Sequence, residues 1–344
     1  MTNRDISVII CAYTEARWDD LLSAVASVQE QTCPPREIIV VIDHNPALVG
    51  RVREHIRQIV VIENAETQGL SGARNSGIAV AQGELATFLD DDAVAAPDWL
   101  AKLSEHLKSP EVLGVGGLTE PLWLGAHPNW FPEEFYWVIG CSYRGLPDTA
   151  APVRNPFGGN MCVRRALFDL VGGFKTGIGR DRSMLRGCEE TEFCIRAREH
   201  LPQGVFIYEP QARIFHRVPV QRTQWSYFSN RCYAEGVSKA IVTRWHGAKT
   251  GLAAERSYTF QVLPRAIARD LIRTIVDRDV AGVLKAGVTV AGLCLTIAGF
   301  TVGTCSRSGI LRADLNQVAQ SVKPAAPSHT PDGTAGEVLI GMPD

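Results

Sequence analysis

The sequence predicts an α/β protein with an open, doubly wound, mostly parallel twisted sheet and helices on both faces. Up to residue 107, short β-branched runs alternate with helical patterns, the succession that builds a parallel sheet. Hydrophobic residues make up 45% of the 344 residues and charged residues 21%, which is enough apolar material for a full core and excludes wholesale disorder. Ligands bind such sheets beyond the carboxyl ends of the strands, which directs the search to segments 12–15, 43–46, 63–75 and 90–96.

The predicted elements follow one another along the chain. The first candidate strands are Ile6–Cys11, Glu37–Ile42, Ile59–Ile62, Leu85–Leu89 and Val112–Gly116. The helices between them are Asp19–Gln31, Leu48–Ile56, Ser71–Ala81 and Asp98–Leu107. A long irregular, aromatic-rich stretch then extends from Glu120 to Asn155. Further strands are expected at 158–163 and Val205–Tyr208, and further helices at Arg165–Val171, Glu189–His200 and Gln224–Trp245.

Composition excludes several classes of protein. The 35 Lys+Arg against 37 Asp+Glu give a net charge of −2, so no basic field indicates a nucleic-acid partner. The nine cysteines are odd in number and contain no CxxC pair, which is typical of reduced thiols in the cytosol. The apolar run that ends at Ala12 is too short for a signal peptide. We therefore expect a cytoplasmic protein.

The C-terminal third has a different character. Ala286–Ser306 carries no charge over 21 residues, which is long enough to cross a bilayer, but four glycines and four threonines dilute its apolarity. Two interpretations stay open: a membrane-embedded or interfacial segment, or a buried glycine-rich helix. The Ala/Pro/Ser/Gly/Thr-rich remainder, 307–344, predicts a disordered tail.

Three aspartates, Asp90, Asp91 and Asp92, directly follow the apolar strand Leu85–Leu89. Adjacent carboxylates repel one another, so such a cluster at the ligand-binding edge of a sheet favours a site for a cation. Alternate residues of an extended chain share a face, so Asp90 and Asp92 aim at one site while Asp91 points elsewhere. Carboxylate oxygens suit Mg²⁺ or Mn²⁺. The alternative is a solvated acidic turn that caps the next helix.

A glycine-containing segment, Gln68–Asn75, leads into a predicted helix with Arg74 in its first turn. Exposed N–H groups, the helix dipole and this cation together make a candidate seat for a phosphate. The alternative is an ordinary strand-to-helix connection with Ser71 as N-cap.

Acids also head the helix that begins at Glu189. The macrodipole and an i,i+4 ion pair with Arg196 explain Glu192, but they do not require Glu189 and Glu190, and a carboxylate at the mouth of a site is a common general base. His216 follows an apolar pair and is either a metal ligand or a buried polar residue.

Taken together, these segments resemble the inverting family 2 nucleotide-sugar glycosyltransferases of the GT-A fold. The resemblance covers about residues 5–245 and is specific in order and spacing. Its matched segments are Cys11–Thr14, Asp43, Gly69–Asn75, Phe88–Asp92, Gly158–Asn160 and Cys188–Arg196.

The resemblance also implies a division of the chain. A GT-A catalytic domain would occupy residues 1–246, with a nucleotide-binding part at 5–117 and an acceptor-binding part at 118–246. A helical segment at 247–306, membrane-associated or buried, would follow.

Roles for individual residues follow from the resemblance. The implied contacts to the nucleotide sugar are Ala12, Tyr13, Glu15, Asp43, Gly69, Arg74, Asp90 and Asp91. The implied ligands of a divalent metal, Mn²⁺ or Mg²⁺, are Asp92, Asp90 and His216. Glu190 stands where the family has an Asp, so it would be the general base with Glu189 holding the acceptor, although the longer side chain leaves open which of the two is the base. The implied acceptor contacts are Gly159, Asn160 and Trp137.

The implied reaction is a single in-line displacement. The metal would neutralise charge on the departing nucleoside diphosphate while the base deprotonates the acceptor hydroxyl, with inversion at the anomeric carbon. The aromatic stretch 123–143 would either cover the acceptor side or form a second small hydrophobic core.

Segments 140–147, 153–156 and 187–194 are similar to a narrower group, the glucosyl-dolichyl phosphate glucuronosyltransferases. This similarity implies a UDP-sugar donor, with UDP-glucuronate among the candidates, and a glycan or polyprenyl-phosphate-linked acceptor. The cations available for a donor carboxylate are Arg154, Arg180 and Arg182. A lipid-linked acceptor also fits an apolar segment flanked by basic residues at the cytoplasmic face of a membrane.

The loop after the first strand does not have the residues that two other classes of enzyme need. A nucleotidyltransferase would need a glycine-rich, basic loop after the first strand, where this chain has 12–15, Ala-Tyr-Thr-Glu. A nicotinamide-dependent dehydrogenase would need G-x-G-x-x-G there. A catalytically inactive sugar-binding or scaffold protein stays open as an alternative.

Overall fold

A mixed β-sheet lies at the centre of this computed structural model, which describes residues 5–180, 186–278 and 280–306. The strands within these ranges are β1 Ile6–Ala12, β2 Glu37–Ile42, β3 Val60–Glu63, β4 Leu85–Asp90, β5 Ala93–Ala95, β6 Val112–Trp123, β7 Ala151–Val153, β8 Asn160–Arg164 and β9 Val205–Val218. They pair in the order β3-β2-β1-β4-β8-β6-β9-β5, and β7 adds to β9.

The helices surround this sheet. They are α1 Trp18–Gln29, α2 Pro46–His55, α3 Leu70–Val80, α4 Trp99–His106, α5 Ala166–Val171, α6 Glu189–His200, α7 Trp225–Gly251, α8 Ala253–Ser257, α9 Leu263–Asp277 and α10 Ala281–Cys305. Three short 3₁₀ turns, Glu15–Arg17, Glu133–Ile139 and Val220–Thr223, lie between them, and a π-helical turn at Tyr258–Val262 joins α8 to α9.

Parallel pairing and alternation build the first half as predicted. β1 pairs in parallel with β2 and with β4, and β2 pairs in parallel with β3. Val8 and Ile10 of β1 pack on the face covered by α1, α2 and α4, whereas Ile9 packs on the face covered by α3, α5 and α6. The α/β prediction with helices on both faces is confirmed.

The second half of the sheet extends further than predicted. β6 and β9 pair in parallel as far as Trp123 opposite Val218, so the predicted irregular stretch from Glu120 begins inside a strand and also contains β7. Their register shifts between Gly117 and Leu118, where β9 accommodates Pro210 in a bulge. Glycine and proline normally indicate the end of a strand when only the sequence is known. Here the hydrogen bonding between β6 and β9 continues beyond Gly117 and Pro210.

The aromatic stretch forms a second hydrophobic core. Phe131 and Phe135 are fully buried against Phe228 of α7, Leu263 of α9 and Val288 of α10. This confirms the core interpretation of residues 123–143.

Helix α10 packs closely along α7 through glycines. A Cβ at Gly236 would overlap the Thr296 carbonyl oxygen, and one at Gly299 would overlap the Tyr233 carbonyl oxygen. The opposite side of α10 exposes apolar side chains, and by length and composition the helix could cross a membrane. The predicted boundary at residue 246 lies beside a kink in α7 at Gly247, and the predicted tail 307–344 lies outside the described residues.

We predict that Gly299→Ala destabilises the protein by about 1–3 kcal/mol, because the added methyl forces α10 away from the α7 backbone. Gly287→Ala on the same helix is the matched control: its Cβ would meet nothing within 4 Å, so the higher helix propensity of Ala leaves stability unchanged or raised by up to about 1 kcal/mol. Urea unfolding of both variants measures the difference, and equal effects of the two substitutions would contradict the close packing.

Candidate active site

A cavity of about 640 Å³ lies between the carboxyl end of β4 and the C-terminal helices. Its polar end is lined by Arg74, Asp90, Arg180, Glu189 and Glu190. Its other end is aromatic and apolar, and is lined by residues that include Phe135, Trp137, Tyr258, Leu293, Ile297 and Phe300. The cavity therefore offers charged groups to one part of a ligand and an apolar wall to another.

Three candidate metal ligands lie close together, and one of them, Asp90, lines the polar end of the cavity. One ligand atom each from Asp90, Asp92 and His216 lies within 4.8 Å of the others. Asp90 ends β4 and Asp92 lies in the turn before β5, so the turn brings the two carboxylates together instead of the extended alternation that the sequence predicts. His216 reaches them because β9 pairs with the short strand β5, with His216 opposite Ala93. Strand β5 is not evident from the sequence, so the approach of His216 to the aspartates could not be predicted.

Asp92 is a buried carboxylate held by three basic side chains. Its Oδ2 lies 3.2 Å from Arg17 Nη1 and 3.2 Å from Arg222 Nη2, and its Oδ1 lies 3.2 Å from His216 Nε2. Burial on its own raises the pKa of Asp92, but His216, Arg222 and Arg17 outweigh it and hold the pKa well below its usual range. Arg17 and Arg222 were not predicted as site residues, because no local sequence pattern links them to the aspartates.

Asp91 lies outside the cavity. Its Oδ1 accepts a hydrogen bond of 2.8 Å from Arg17 Nη1, and the side chain is buried. Burial, and then the neighbouring Asp92, raise the pKa of Asp91 to about 7. The side chain of Asp91 therefore pairs with Arg17, and its assignment as a nucleotide-sugar contact stays a prediction.

Asp43 joins three loops at the edge of the sheet. Its carboxylate accepts hydrogen bonds from Asn64 Nδ2 at 2.6 Å and from the Gly69 N–H at 3.0 Å, and it lies 2.9 Å from His44 Nδ1. Gly69 has a φ of 124°, which favours glycine. This network fixes the turn that leads into α3.

The end of β1 lies beside this network. The Asp43 N–H donates to the Ala12 carbonyl oxygen at 2.8 Å. Tyr13 is 40% exposed, and its ring lies 5.6 Å from the Arg17 guanidinium carbon. Glu15 begins the 3₁₀ turn that carries Arg17. The predicted contacts of the first strand and of Asp43 thus lie along one edge of the sheet.

Arg74 bridges two acids instead of standing open to a phosphate. Its Nη1 lies 2.8 Å from Glu189 Oε1, and its Nη2 lies 3.5 Å from Asp90 Oδ1. Two glycines leave room for this arrangement, because a Cβ at Gly159 would overlap the Asp90 carboxylate and a Cβ at Gly158 would lie 2.8 Å from Arg74 Nη1. Arg74 therefore connects β4 to the N-terminus of α6.

The two glutamates at the start of α6 have different surroundings. Glu189 is buried and paired with Arg74, and among the described residues its Oε2 has no hydrogen-bond partner. Glu190 lines the cavity, and burial, followed by repulsion from Glu189, raises its pKa to about 7. A carboxyl group with this pKa can lose and accept a proton near neutral pH.

Glu192 has the structural role that its spacing predicts. Its Oε2 lies 2.8 Å from Arg196 Nη2, and its Oε1 lies 2.8 Å from Lys175 Nζ. Burial raises its pKa, but hydrogen bonds from His246 and Arg196 outweigh burial and lower the pKa to about 2.

The predicted acceptor contacts divide into two sets. Gly159 and Trp137 line the cavity, and Trp137 Nε1 donates to Tyr258 Oη at 3.1 Å. Asn160 is fully buried: its Oδ1 accepts from Trp99 Nε1 at 2.8 Å and its Nδ2 donates to the Leu118 carbonyl oxygen. The amide of Asn160 is thus used inside the protein, and its assignment as an acceptor contact stays a prediction.

The three candidate arginines for a donor carboxylate also differ. Arg154 pairs with Glu255, with Nη1 and Oε2 2.6 Å apart. Arg180 lines the cavity and has Asp90, Asp92 and Glu189 as charged neighbours. Arg182 lies outside the described residues.

The chain is similar to known glycosyltransferases in sequence and in fold. The family described as "Glycosyl transferase family 2" matches residues 7–172. The glucosyl-dolichyl phosphate glucuronosyltransferase of Haloferax volcanii is 35% identical over 241 residues, covering 69% of this chain and 77% of that protein. The succinoglycan biosynthesis protein ExoM of Rhizobium meliloti is 25% identical over 255 residues, covering 71% and 77%. A mannosyltransferase structure from Pyrobaculum calidifontis shares the fold with a TM-score of 0.57 at 20% identity, covering 89% of each chain.

Proposed function

The chain belongs to glycosyltransferase family 2 and has the GT-A fold, and on this basis we propose that it transfers a sugar from a UDP-sugar, with inversion, to a hydroxyl of a polyprenyl-phosphate-linked sugar or glycan. The observation that carries the proposal is the composition of the cavity beside β4. It joins Asp90 of the metal-ligand group to Glu190 and to the apolar wall formed by α10.

The metal-ligand group fits a divalent ion. Asp90 and Asp92 offer carboxylate oxygens and His216 offers an imidazole nitrogen, and the nitrogen favours Mn²⁺ over Mg²⁺, which takes oxygen ligands. The P. calidifontis structure was determined with GDP-Man and Mn²⁺, which agrees with this donor set. When bound, the ion would neutralise charge that develops on the leaving diphosphate.

Residues of the chain supply the rest of the donor site in this proposal. Ala12, Tyr13, Glu15 and the loop tied together by Asp43 would contact the nucleoside at the edge of the sheet. Arg180 faces the polar end of the cavity, where its guanidinium can pair with an anionic group of the donor.

Glu190 is the proposed general base. It lines the cavity, and a pKa of about 7 suits removal of a proton from the acceptor hydroxyl near neutral pH. The carboxylate of Glu189 is instead paired with Arg74, which leaves its second oxygen to accept a hydrogen bond from the acceptor. In the proposed reaction the acceptor oxygen, deprotonated by Glu190, attacks the anomeric carbon on the face opposite the leaving diphosphate. The bond from that carbon to the diphosphate breaks as the new bond forms, which gives inversion.

We predict that kcat/KM rises with pH through about 7 and then levels, because Glu190 accepts a proton only when it is ionised. Glu190→Gln should lower kcat about 10²- to 10⁴-fold and remove this inflection, while donor binding stays unchanged. Initial rates across pH 5–9 (roughly the range in which such a group titrates) measure both effects.

Glu190→Asp is the matched control. It keeps a carboxylate, so the pH inflection and part of the rate should survive. If Glu190→Gln retains kcat within about threefold, the base lies elsewhere, and Glu189→Gln becomes the variant to test.

We also predict that one UDP-sugar raises the melting temperature by about 5 °C or more at a hundredfold excess over its Kd, only when Mn²⁺ or Mg²⁺ is present. Asp90→Asn should abolish the rise; this variant suits the test because Asp90 is about one-third exposed and its ion pair with Arg74 is long. Thermal shift across UDP- and GDP-sugars, with metal or chelator, measures it. No rise with any nucleotide sugar would reject the donor assignment in favour of a scaffold protein.

The same thermal-shift series of nucleotide sugars also tests which sugar is transferred. The name of the H. volcanii relative supports glucuronate as the transferred sugar, and Arg180 is the proposed partner of its carboxylate. UDP-glucuronate should then stabilise the protein more than UDP-glucose, and Arg180→Ala should remove the difference.

The apolar end of the cavity supports a lipid-linked acceptor. Leu293, Ile297 and Phe300 of α10 line it, and Trp137 lies on its wall. The H. volcanii relative is named for a glucosyl-dolichyl phosphate acceptor, which is an isoprenoid of this kind. A polyprenyl chain would lie along α10 while its sugar hydroxyl reaches Glu190.

A membrane surface is the proposed source of such an acceptor. Ile275 and Val276 of α9 are exposed by 79% and 72%, and basic Arg273 and Arg278 lie beside them. Because one side of α10 is packed against α7, we propose that α9 and α10 lie on the cytoplasmic face of the membrane with their exposed sides in the headgroups.

We predict that the double variant Ile275→Glu, Val276→Glu loses at least about tenfold in affinity for vesicles of phosphatidylcholine and phosphatidylglycerol, measured by co-sedimentation. Leu170→Glu is the matched control, since Leu170 is an exposed leucine of α5 at 52% exposure. Both substitutions avoid the core, so unfolding should stay unchanged. Equal binding by the double variant and the wild type would reject this surface.

A further inference from the structure

The candidate metal ligands already hold a cation of the protein. Arg222 directs Nη1 at His216 Nε2, 3.1 Å away, and Nη2 at Asp92 Oδ2, 3.2 Å away. His216 Nε2 also lies 3.2 Å from Asp92 Oδ1, so this nitrogen is already in contact with both Arg222 and Asp92. A metal ion that bound to this nitrogen would have to displace the Arg222 contact.

The charges at this point are balanced by side chains. Asp92 faces the guanidinium groups of both Arg17 and Arg222, and Arg17 also pairs with Asp91. Arg180 adds a further positive charge near Asp90 and Asp92. A divalent ion that entered alone would place excess positive charge in a buried site, which is unfavourable unless an arginine moves or an anion enters with the ion.

Arg222 is in a position to move. It belongs to the short 3₁₀ turn Val220–Thr223 after β9 and is the buried residue of that turn. Val220 is 51% exposed, and Gln221 is also exposed. Its side chain can therefore leave His216 without unpacking a helix or a strand.

We propose that Arg222 is the resident counter-cation of the metal-ligand group: it holds Asp92 and His216 in place until metal and nucleoside diphosphate bind together, then releases them and pairs with the diphosphate. The inference rests on the proposed function. It makes Arg222 a positioning residue, acting first through His216 and Asp92 and then on the leaving group. It also sets the order of binding, because metal alone must compete with Arg222 whereas metal with diphosphate provides this arginine with a new partner.

The test measures metal binding directly. Mn²⁺ titration of the full chain, followed by the electron paramagnetic resonance of the free ion, gives the Kd with and without UDP. For the wild type we expect weak binding of Mn²⁺ alone and at least about fivefold tighter binding with UDP. Arg222→Gln should bind Mn²⁺ alone at least about fivefold more tightly than the wild type, and UDP should strengthen its binding by less than about twofold.

Two further variants separate this role from general effects. Arg222→Lys keeps a positive charge but cannot contact His216 and Asp92 at the same time through two nitrogens, so UDP should still strengthen its Mn²⁺ binding. This variant also replaces Arg222→Gln in the test if Arg222→Gln does not fold. Arg217→Gln removes a charge from the residue next to His216, but Arg217 pairs with Asp20 at 2.6 Å, so its Mn²⁺ binding should match the wild type.

The outcomes are distinct. If folded Arg222→Gln binds Mn²⁺ alone no more tightly than the wild type, or if Arg217→Gln gains as much, the inference is overturned while the donor site stands. If the wild type binds no Mn²⁺ even with UDP, the metal-dependent function itself fails. Thermal unfolding of each variant confirms that it is folded.

Discussion

The site depends on one buried charge, the carboxylate of Asp92. A buried carboxylate is tolerated only when cations and hydrogen bonds compensate for the loss of water. The compensating groups come from separate parts of the chain: Arg17 follows β1, His216 is on β9, and Arg222 is in the turn after β9. The need to neutralise the buried charge of Asp92 thereby brings together the segment after β1 and the end of β9.

A second ion pair connects the two halves of the cavity. Arg74 lies between Asp90, on the side proposed for the donor, and Glu189, on the side proposed for the acceptor. Neighbouring glycines at 158 and 159 give it space. Burial, followed by repulsion from Glu189, raises the pKa of the adjacent Glu190 to about 7. The roles proposed for the two glutamates, which the sequence leaves open, rest on the contact between Glu189 and Arg74.

The sequence predicted the features that are determined by residues close together in the chain. The strand before Asp90 and the grouping of Asp90 with Asp92 are visible in consecutive residues. Arg17 and Arg222 were missed because nothing near them in the sequence refers to Asp92. The internal contacts of Asn160 could not be predicted either, because its direction depends on Trp99, 61 residues away. The length of β9 was underestimated because Pro210 interrupts the strand pattern, and only the pairing with β6 carries the strand onward.

Helix α10 lies against α7 through its glycines and lines the cavity with Leu293, Ile297 and Phe300. Its composition resembles that of a membrane anchor, the kind of segment that is often deleted to obtain a more tractable protein. Ending this chain before residue 281 would remove a wall of the substrate cavity and uncover Phe135 and Phe228, which pack against Gly292. A shortened chain would then keep Asp90, Asp92 and Glu190 and yet lose the apolar wall that is proposed to bind the acceptor.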